Sequence, residues 1–240
     1  MRAAAVFEPP FALSAEGEGM LIIGHRGASV AKPENTLEAF ERAYLDSADG
    51  VEFDVRATSD GVPVLSHDRS LQRRAGDPRN IDELALVEVK TLDVGEGLRV
   101  PTLAEALACC AGRGVLDLDV AQRGIERAIL DVMAGYQGKW LISSFLWDAL
   151  ITFHALDPAI SLWPLATEFT DDLFEVSAQI DAVGIAMRHD RIDEATVADC
   201  GRRGLKLLAW TVNDRLEAER LAAVGIHGLI TDVPGDMQGL

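Results

Sequence analysis

Short apolar runs alternate along this chain with longer segments whose apolar residues recur at helical spacing. Leu21 to Gly24 is an apolar run that ends at His25, and a helical pattern begins at Asn35-Thr36, with Leu37, Phe40 and Tyr44 on one face. Val51 to Val55 reads as a second strand. After an Asp60-Gly61 turn, Val62-Pro63-Val64-Leu65 returns as an extended segment carrying His67. Thr102-Leu103-Ala104-Glu105 has capping-box spacing and opens a helix. Further strands are predicted over Val115 to Val120, Trp140 to Ser144, Ile160 to Leu165, Ala182 to Ile185, Lys206 to Trp210 and Gly228 to Thr231, with helices over Gly124 to Ala134 and Leu146 to Leu156.

Leaving out the return at Val64, the pattern gives eight strands, and eight strands alternating with helices favour a closed parallel (βα)8 barrel, a TIM barrel, over an open doubly wound sheet. Gly24-x-x-Gly27 is too sparse for a dinucleotide-binding fingerprint. Residues 69–99 are charged and irregular, with Gly76-Asp77-Pro78 and Gly95-Glu96-Gly97 as breaks around a short apolar helix near Ile81 to Leu92; they form a small insertion after the second strand. Few residues follow Asp232, so the last helix is expected to be short or absent, and residues 1–19 are read as an N-terminal extension placed to cover that end. Residues 20–240 then make one barrel domain.

Composition narrows the function. A formal net charge of −17 argues against nucleic acid and against an anionic membrane surface as partners. No run reaches membrane-spanning length, and Glu8-Pro9-Pro10 interrupts the N-terminal apolar run before it is long enough for a secretory signal. Cys109, Cys110 and Cys200 show neither metal-ligand spacing nor a disulfide framework and read as small buried hydrophobes. Unpaired, they suit a cytoplasmic protein.

The chemistry concentrates between Ile22 and Asp68. His25, Glu52, Asp54 and His67 fall at the ends of strand-like runs, which a parallel barrel delivers to one mouth. Glu52 and Asp54 lie two apart with Val51, Phe53 and Val55 between and beside them, so both carboxylates share a face. That face is either the wet side of an edge strand or a buried site. A buried pair costs several kcal/mol per isolated ion unless a cation relieves it, and a hard divalent ion fits.

These residues resemble a known family. His25-Arg26-Gly27, Glu34-Asn35-Thr36, Glu52-x-Asp54 and His67-Asp68 stand in the order of the glycerophosphodiester phosphodiesterases. The likeness continues through Val100-Pro101-Thr102-Leu103, Ser143-Ser144-Phe145, Ala209-Trp210-Thr211-Val212-Asn213 and Gly228 to Pro234, and so spans roughly residues 21 to 235. It implies a TIM barrel whose Glu52, Asp54 and Asp119 hold Mg²⁺ or Ca²⁺, whose Arg26 grips a phosphate oxygen, whose Trp210 lies beside the substrate alcohol, and whose His25 and His67 exchange the proton roles. Imidazole suits that work, since its unperturbed pKa is about 6.5. The substrate implied is a small-molecule phosphodiester.

The chain departs from the family on the third barrel strand, where the pattern is Glu-x-Lys. The best register is Leu116-Asp117-Leu118-Asp119-Val120-Ala121, with Asp119 as ligand, about 1.5 Å shorter in reach, and Ala121 in the place of the lysine. Losing a charge-assisted hydrogen bond of roughly 1.5 to 3 kcal/mol should cost about ten- to a hundredfold unless another cation substitutes. Asp117 adds a fourth inward carboxylate, able to tighten the metal site or hold a second ion. Glu34 and Asn35 support the site or cap the following helix, Asp68 orients His67 or makes a turn, and Asp232 is read as fixing a loop. His154, His189 and His227 are assigned to surface or packing. Besides glycerophosphodiester hydrolysis, two readings stay open: the same barrel acting on a lysophospholipid or other phosphodiester, and a noncatalytic metal- or ligand-binding barrel.

Overall fold

The structure is a computed structural model that describes residues 19–240. Its strands are β1 (Leu21–His25), β2 (Gly50–Ala57), β3 (Pro63–Leu65), β4 (Val115–Val120), β5 (Lys139–Ser144), β6 (Leu162–Ala166), β7 (Gly184–Arg188), β8 (Lys206–Trp210) and β9 (Gly228–Thr231). All but β3 pair in parallel, in the order β1-β2-β4-β5-β6-β7-β8-β9, and β9 pairs back onto β1. The result is the closed eight-stranded parallel barrel expected from the alternation of the sequence. Its helices are α1 (Leu37–Leu45), α2 (Gln72–Ala75), α3 (Leu86–Val89), α4 (Leu103–Cys110), α5 (Glu126–Met133), α6 (Trp147–Leu156), α7 (Asp171–Gln179), α8 (Glu194–Arg202) and α9 (Arg215–Val224).

Alternation decides what each strand buries. On β2, Val51, Phe53 and Val55 pack outward into the layer that holds Phe40 of α1 and Leu103 of α4, with the Phe40 and Phe53 rings 5.5 Å apart. Glu52, Asp54 and Arg56 therefore face the barrel axis. The interior below them is apolar: Ile23, Leu141, Trp163, Ala186, Leu208 and Ile230 fill it. Gly184 makes room for the largest of these, since a Cβ there would lie 2.3 Å from the Trp163 ring. The barrel is thus an apolar plug beneath a charged mouth.

The predicted strand over Ala182 to Ile185 instead begins at Gly184 and runs on to Arg188, and the Ile160 to Leu165 strand is shifted to Leu162–Ala166. In both cases the apolar signal starts in the loop that leads into the strand, and Ile160 itself is buried there. β3 is antiparallel to β2, with Val55 opposite Leu65. The single helix expected near residues 81–92 is two pieces, a 3-10 turn (Ile81–Glu83) and α3, parted by extended Leu84 and Ala85, whose N–H groups bond back to the Ile81 carbonyl and forward to the Glu88 carboxylate. This region is not simply surface loop. Val64, Leu71, Ile81, Leu84, Val89, Val94 and Val100 form a small core of their own. After β9 comes a 3-10 turn (Pro234–Met237). The expected covering role of residues 1–19 lies almost wholly outside the described residues, among which no helix is long and apolar enough to cross a membrane.

Candidate active site

The turn that follows β1 sets the site. Arg26 and Gly27 both have left-handed backbone (φ 55° and 85°), and a Cβ on Gly27 would lie 2.5 Å from the backbone of Ala39 in α1. Only glycine lets the turn pack that closely. The helix start then holds the turn, because Ala28 N–H donates to the Ala39 carbonyl (2.9 Å) and Asn35 N–H to the Arg26 carbonyl (3.0 Å). Arg26 N–H in turn donates to Glu52 Oε2 at 2.8 Å.

Thr36 rather than Asn35 caps α1: its hydroxyl accepts from Ala39 N–H. Asn35, itself left-handed at φ 55°, clamps Asp54 instead, with Nδ2 donating to Asp54 Oδ2 (2.7 Å) and Oδ1 accepting from Asp54 N–H (3.2 Å). Register lines up Glu52 with Asp117 and Asp54 with Asp119 across β2 and β4. Carboxylate oxygens of Glu52, Asp54 and Asp119 all come within 4.8 Å of one another.

Burial pushes the Glu52 and Asp119 carboxyls well above the usual range, and the neighbouring Asp54 charge pushes them further, with Arg26 relieving both only in part. Asp117 is fully buried; burial raises it to about 7 against the stabilising hydrogen bond from Ser143 Oγ (2.6 Å), and its second oxygen has no hydrogen-bond partner among the described residues. A set of oxygen donors that repel one another, beside an unsatisfied buried oxygen, is a donor set that fits a hard divalent cation.

Both sequence-predicted histidines meet this cluster. His25 and His67 line one cavity of about 150 Å³ with Arg26, Glu52, Asp117 and Asp119, and Phe145, Leu165, Trp210 and Ile230 form its apolar wall. His25 Nδ1 sits 2.6 Å from Asp232 Oδ1, which also accepts from Ser29 Oγ (2.7 Å), while Asp232 Oδ2 accepts from Asn213 Nδ2 (2.6 Å). Burial would raise Asp232, but His25, Ser29 and Asn213 outweigh it and hold the carboxyl far below its usual range. Asp232 does order the loop, and it is also the partner of His25.

His67 Nδ1 is matched by Asp68 Oδ1 at 2.7 Å. Arg73, in the insertion, donates to both oxygens of Glu34 (2.6 and 2.9 Å) and to Asp68 Oδ2 (2.5 Å). Glu34 also receives Arg26 Nη1 at 3.2 Å, so Glu34 supports the site and does not cap the helix. Sequence reasoning passed over Arg73; it has no motif, and only the fold of the insertion brings it to two acidic residues far apart in the chain. Trp210 Nε1 donates to the Ala186 carbonyl (2.9 Å), and its ring meets Phe145 edge-on at 5.4 Å. His154, His189 and His227 lie elsewhere: His189 pairs with Glu217, His154 approaches Asp181, and His227 accepts from Leu207 N–H.

Comparison with known proteins agrees with this geometry. The family model for the glycerophosphoryl diester phosphodiesterases matches residues 25–120 and 117–236. The chain is 30% identical to a glycerophosphodiester phosphodiesterase of Caldanaerobacter subterraneus over 89% of its own length and 94% of that protein's. It is 36% identical to human glycerophosphodiester phosphodiesterase 1 over 88% of this chain and 75% of the human one. Among solved structures, a phosphodiesterase of Oleispira antarctica in complex with its product sn-glycerol-3-phosphate superposes with a TM-score of 0.86 at 30% identity, covering 91% of this chain and 95% of that one. The chain belongs to the glycerophosphoryl diester phosphodiesterase family and is a phosphodiester hydrolase built on a TIM barrel.

Proposed function

We propose that the protein hydrolyses glycerophosphodiesters to glycerol 3-phosphate and an alcohol, using a divalent ion, Mg²⁺ or Ca²⁺, held by Glu52, Asp54 and Asp119. The observation that carries this reading is the pair of histidines whose Nδ1 atoms are each matched to a carboxylate while both rings line the cavity that contains Glu52 and Asp119. With Nδ1–H directed at a carboxylate, each ring keeps Nε2 for the substrate. One takes a proton from the attacking group, which is water or the neighbouring glycerol hydroxyl, and the other, protonated, gives one to the leaving alkoxide; attack by the hydroxyl leaves a cyclic phosphate that water then opens to glycerol 3-phosphate. A bound divalent ion supplies charge neutralisation to the nonbridging oxygens. Arg26 adds positive charge from the turn after β1, and Phe145 and Trp210 offer an apolar wall to the organic part of the substrate. The product held by the Oleispira relative supports glycerol 3-phosphate as the product here. A reducing cytoplasm suits the free Cys109, Cys110 and Cys200.

A lysophospholipid reading gains little from the insertion, which turns all but Val87 of its large apolar side chains toward its own core and carries the exposed, charged Arg69 and Arg79. The test is release of glycerol 3-phosphate from glycerophosphocholine by the purified protein, with and without Mg²⁺ or Ca²⁺, beside His25→Ala. Metal-dependent release that is lost in the variant is expected. A folded protein that releases nothing with either ion would direct attention to other phosphodiesters or to a binding role.

A further inference from the structure

The reaction proposed above needs an anion to enter a mouth lined by carboxylates, and Arg26 is already engaged there. Its Nη1 donates to Glu34, and its Nε lies 3.1 Å from Asp54. A second arginine stands on the same face. Arg56 follows Glu52 and Asp54 at the two-residue spacing of β2, one step nearer the rim. Register places it beside Ala121: Val55 aligns with Val120 of β4, and Ala121 N–H donates to the Val55 carbonyl at 3.1 Å.

The surroundings of Arg56 are unusual for this rim. Its side chain is half-buried, and its one hydrogen bond among the described residues runs from Nε to the His67 carbonyl (3.0 Å), leaving Nη1 and Nη2 without an ion pair. Its neighbours differ: Arg69 pairs with Asp82, and Arg73 with Glu34 and Asp68. Arg56 lines a cavity of about 370 Å³ with Asp54, His67, Asp119 and Ala121, and His67 and Asp119 belong to the central cavity as well. Asp54, Asp119, Asp68 and Asp82 are near enough to attract this partly desolvated guanidinium, yet among the described residues none forms an ion pair with it, so its Nη atoms stay open to a further anion. Held at Nε, it presents the remaining edge of its fork, the geometry that grips two oxygens of a phosphate.

We propose that Arg56 is a substrate-binding residue that anchors a nonbridging phosphate oxygen, reaching it through the lobe that the small side chain of Ala121 leaves open. The assignment rests on the function proposed above, deepens it, and supplies a cation at the place where Ala121 offers none.

Binding of glycerol 3-phosphate by isothermal titration calorimetry in the presence of Mg²⁺, together with kcat and KM on glycerophosphocholine, tests it. Arg56→Ala, and Arg56→Met with its longer apolar stem as a second variant, should weaken the product Kd and raise KM by about ten- to a hundredfold, with circular dichroism unchanged. Adding Ala121→Lys to Arg56→Ala should recover at least part of both, because the lysine would rise beside the missing guanidinium. Variants that bind the product and cleave the diester as the wild type does would overturn the assignment and leave the hydrolysis standing. So would a defect confined to diesters with an anionic alcohol, which would move Arg56 to the alcohol side. A wild type that neither cleaves nor binds would overturn the function first and this assignment with it.

Discussion

At the scale of single residues, the site depends on groups that orient other groups. Asp232 accepts from Ser29 and Asn213 and meets His25 at 2.6 Å, and these partners keep it anionic throughout the neutral range. An anion at Nδ1 fixes the tautomer that leaves Nε2 available. Asp232→Asn removes the charge and can present an amide hydrogen to the ring instead. The expected result is a fall in kcat of about ten- to a hundredfold, part of the ~10²–10⁴ that a positioned acid or base contributes, with KM changed by less than about threefold. Steady-state kinetics on glycerophosphocholine measure both, and an unchanged kcat would mean that His25 needs no partner. Nothing in the sequence announces this pair, because 207 residues separate its members and Asp232 reads naturally as a loop residue. The same holds for Arg73. By contrast the meeting of His25, Glu52, Asp54 and His67 was legible, since each sits at or near the end of an apolar run and a parallel barrel sends such ends to one mouth, whereas Asp119 was reached only through the resemblance, by register with the family pattern.

At the scale of elements, the strands were readable because a barrel strand is buried on both faces, so its apolar run stands out between turns. Val115 to Val120, Lys206 to Trp210 and Gly228 to Thr231 match their predicted limits for that reason. Limits slipped where burial extends past the sheet, as at Ile160, and where a small residue answers a distant large one, as Gly184 answers Trp163. The joint between β1 and α1 gives the sharpest test of how an element positions the chemistry. Gly27→Ala adds a methyl 2.5 Å from the Ala39 backbone at a φ of 85°, so α1 must move away from the turn that carries Arg26. Left-handed strain and overpacking together should cost about 2 to 4 kcal/mol in urea unfolding. Loss of activity should exceed the unfolded fraction, because Arg26 N–H and Asn35 move with the turn and release Glu52 and Asp54. A variant as stable as the wild type would show that the turn can repack.

At the scale of the whole molecule, the acidic cluster couples stability to pH and, under the proposed function, to metal. Asp117 is pushed to about 7 by burial, so its folded pKa lies above its unfolded value of 3.8. Stability from that proton is fully present below the unfolded pKa and is lost as pH rises from there through 7, because over that window the folded state holds a proton that the unfolded state has already released. Between pH 5 and 8 the loss from Asp117 alone is about 3 kcal/mol, and Glu52 and Asp119, raised for the same reason, act in the same direction. A divalent ion reverses the incentive by favouring the deprotonated carboxylates. Chemical unfolding in a chelating buffer should therefore show stability falling from pH 5 to 8, and millimolar Mg²⁺ or Ca²⁺ should shrink the fall. Asp117→Asn, which keeps an acceptor for Ser143 and carries no charge, should shrink it without metal. Restricting the range to pH 5 and above keeps the comparison clear of Asp232, Glu34 and Asp68, whose lowered pKa values act in the opposite direction in acid. A flat profile in chelator would mean that the cluster is already neutralised within the protein, and the argument from repulsion to a bound cation would lose its footing.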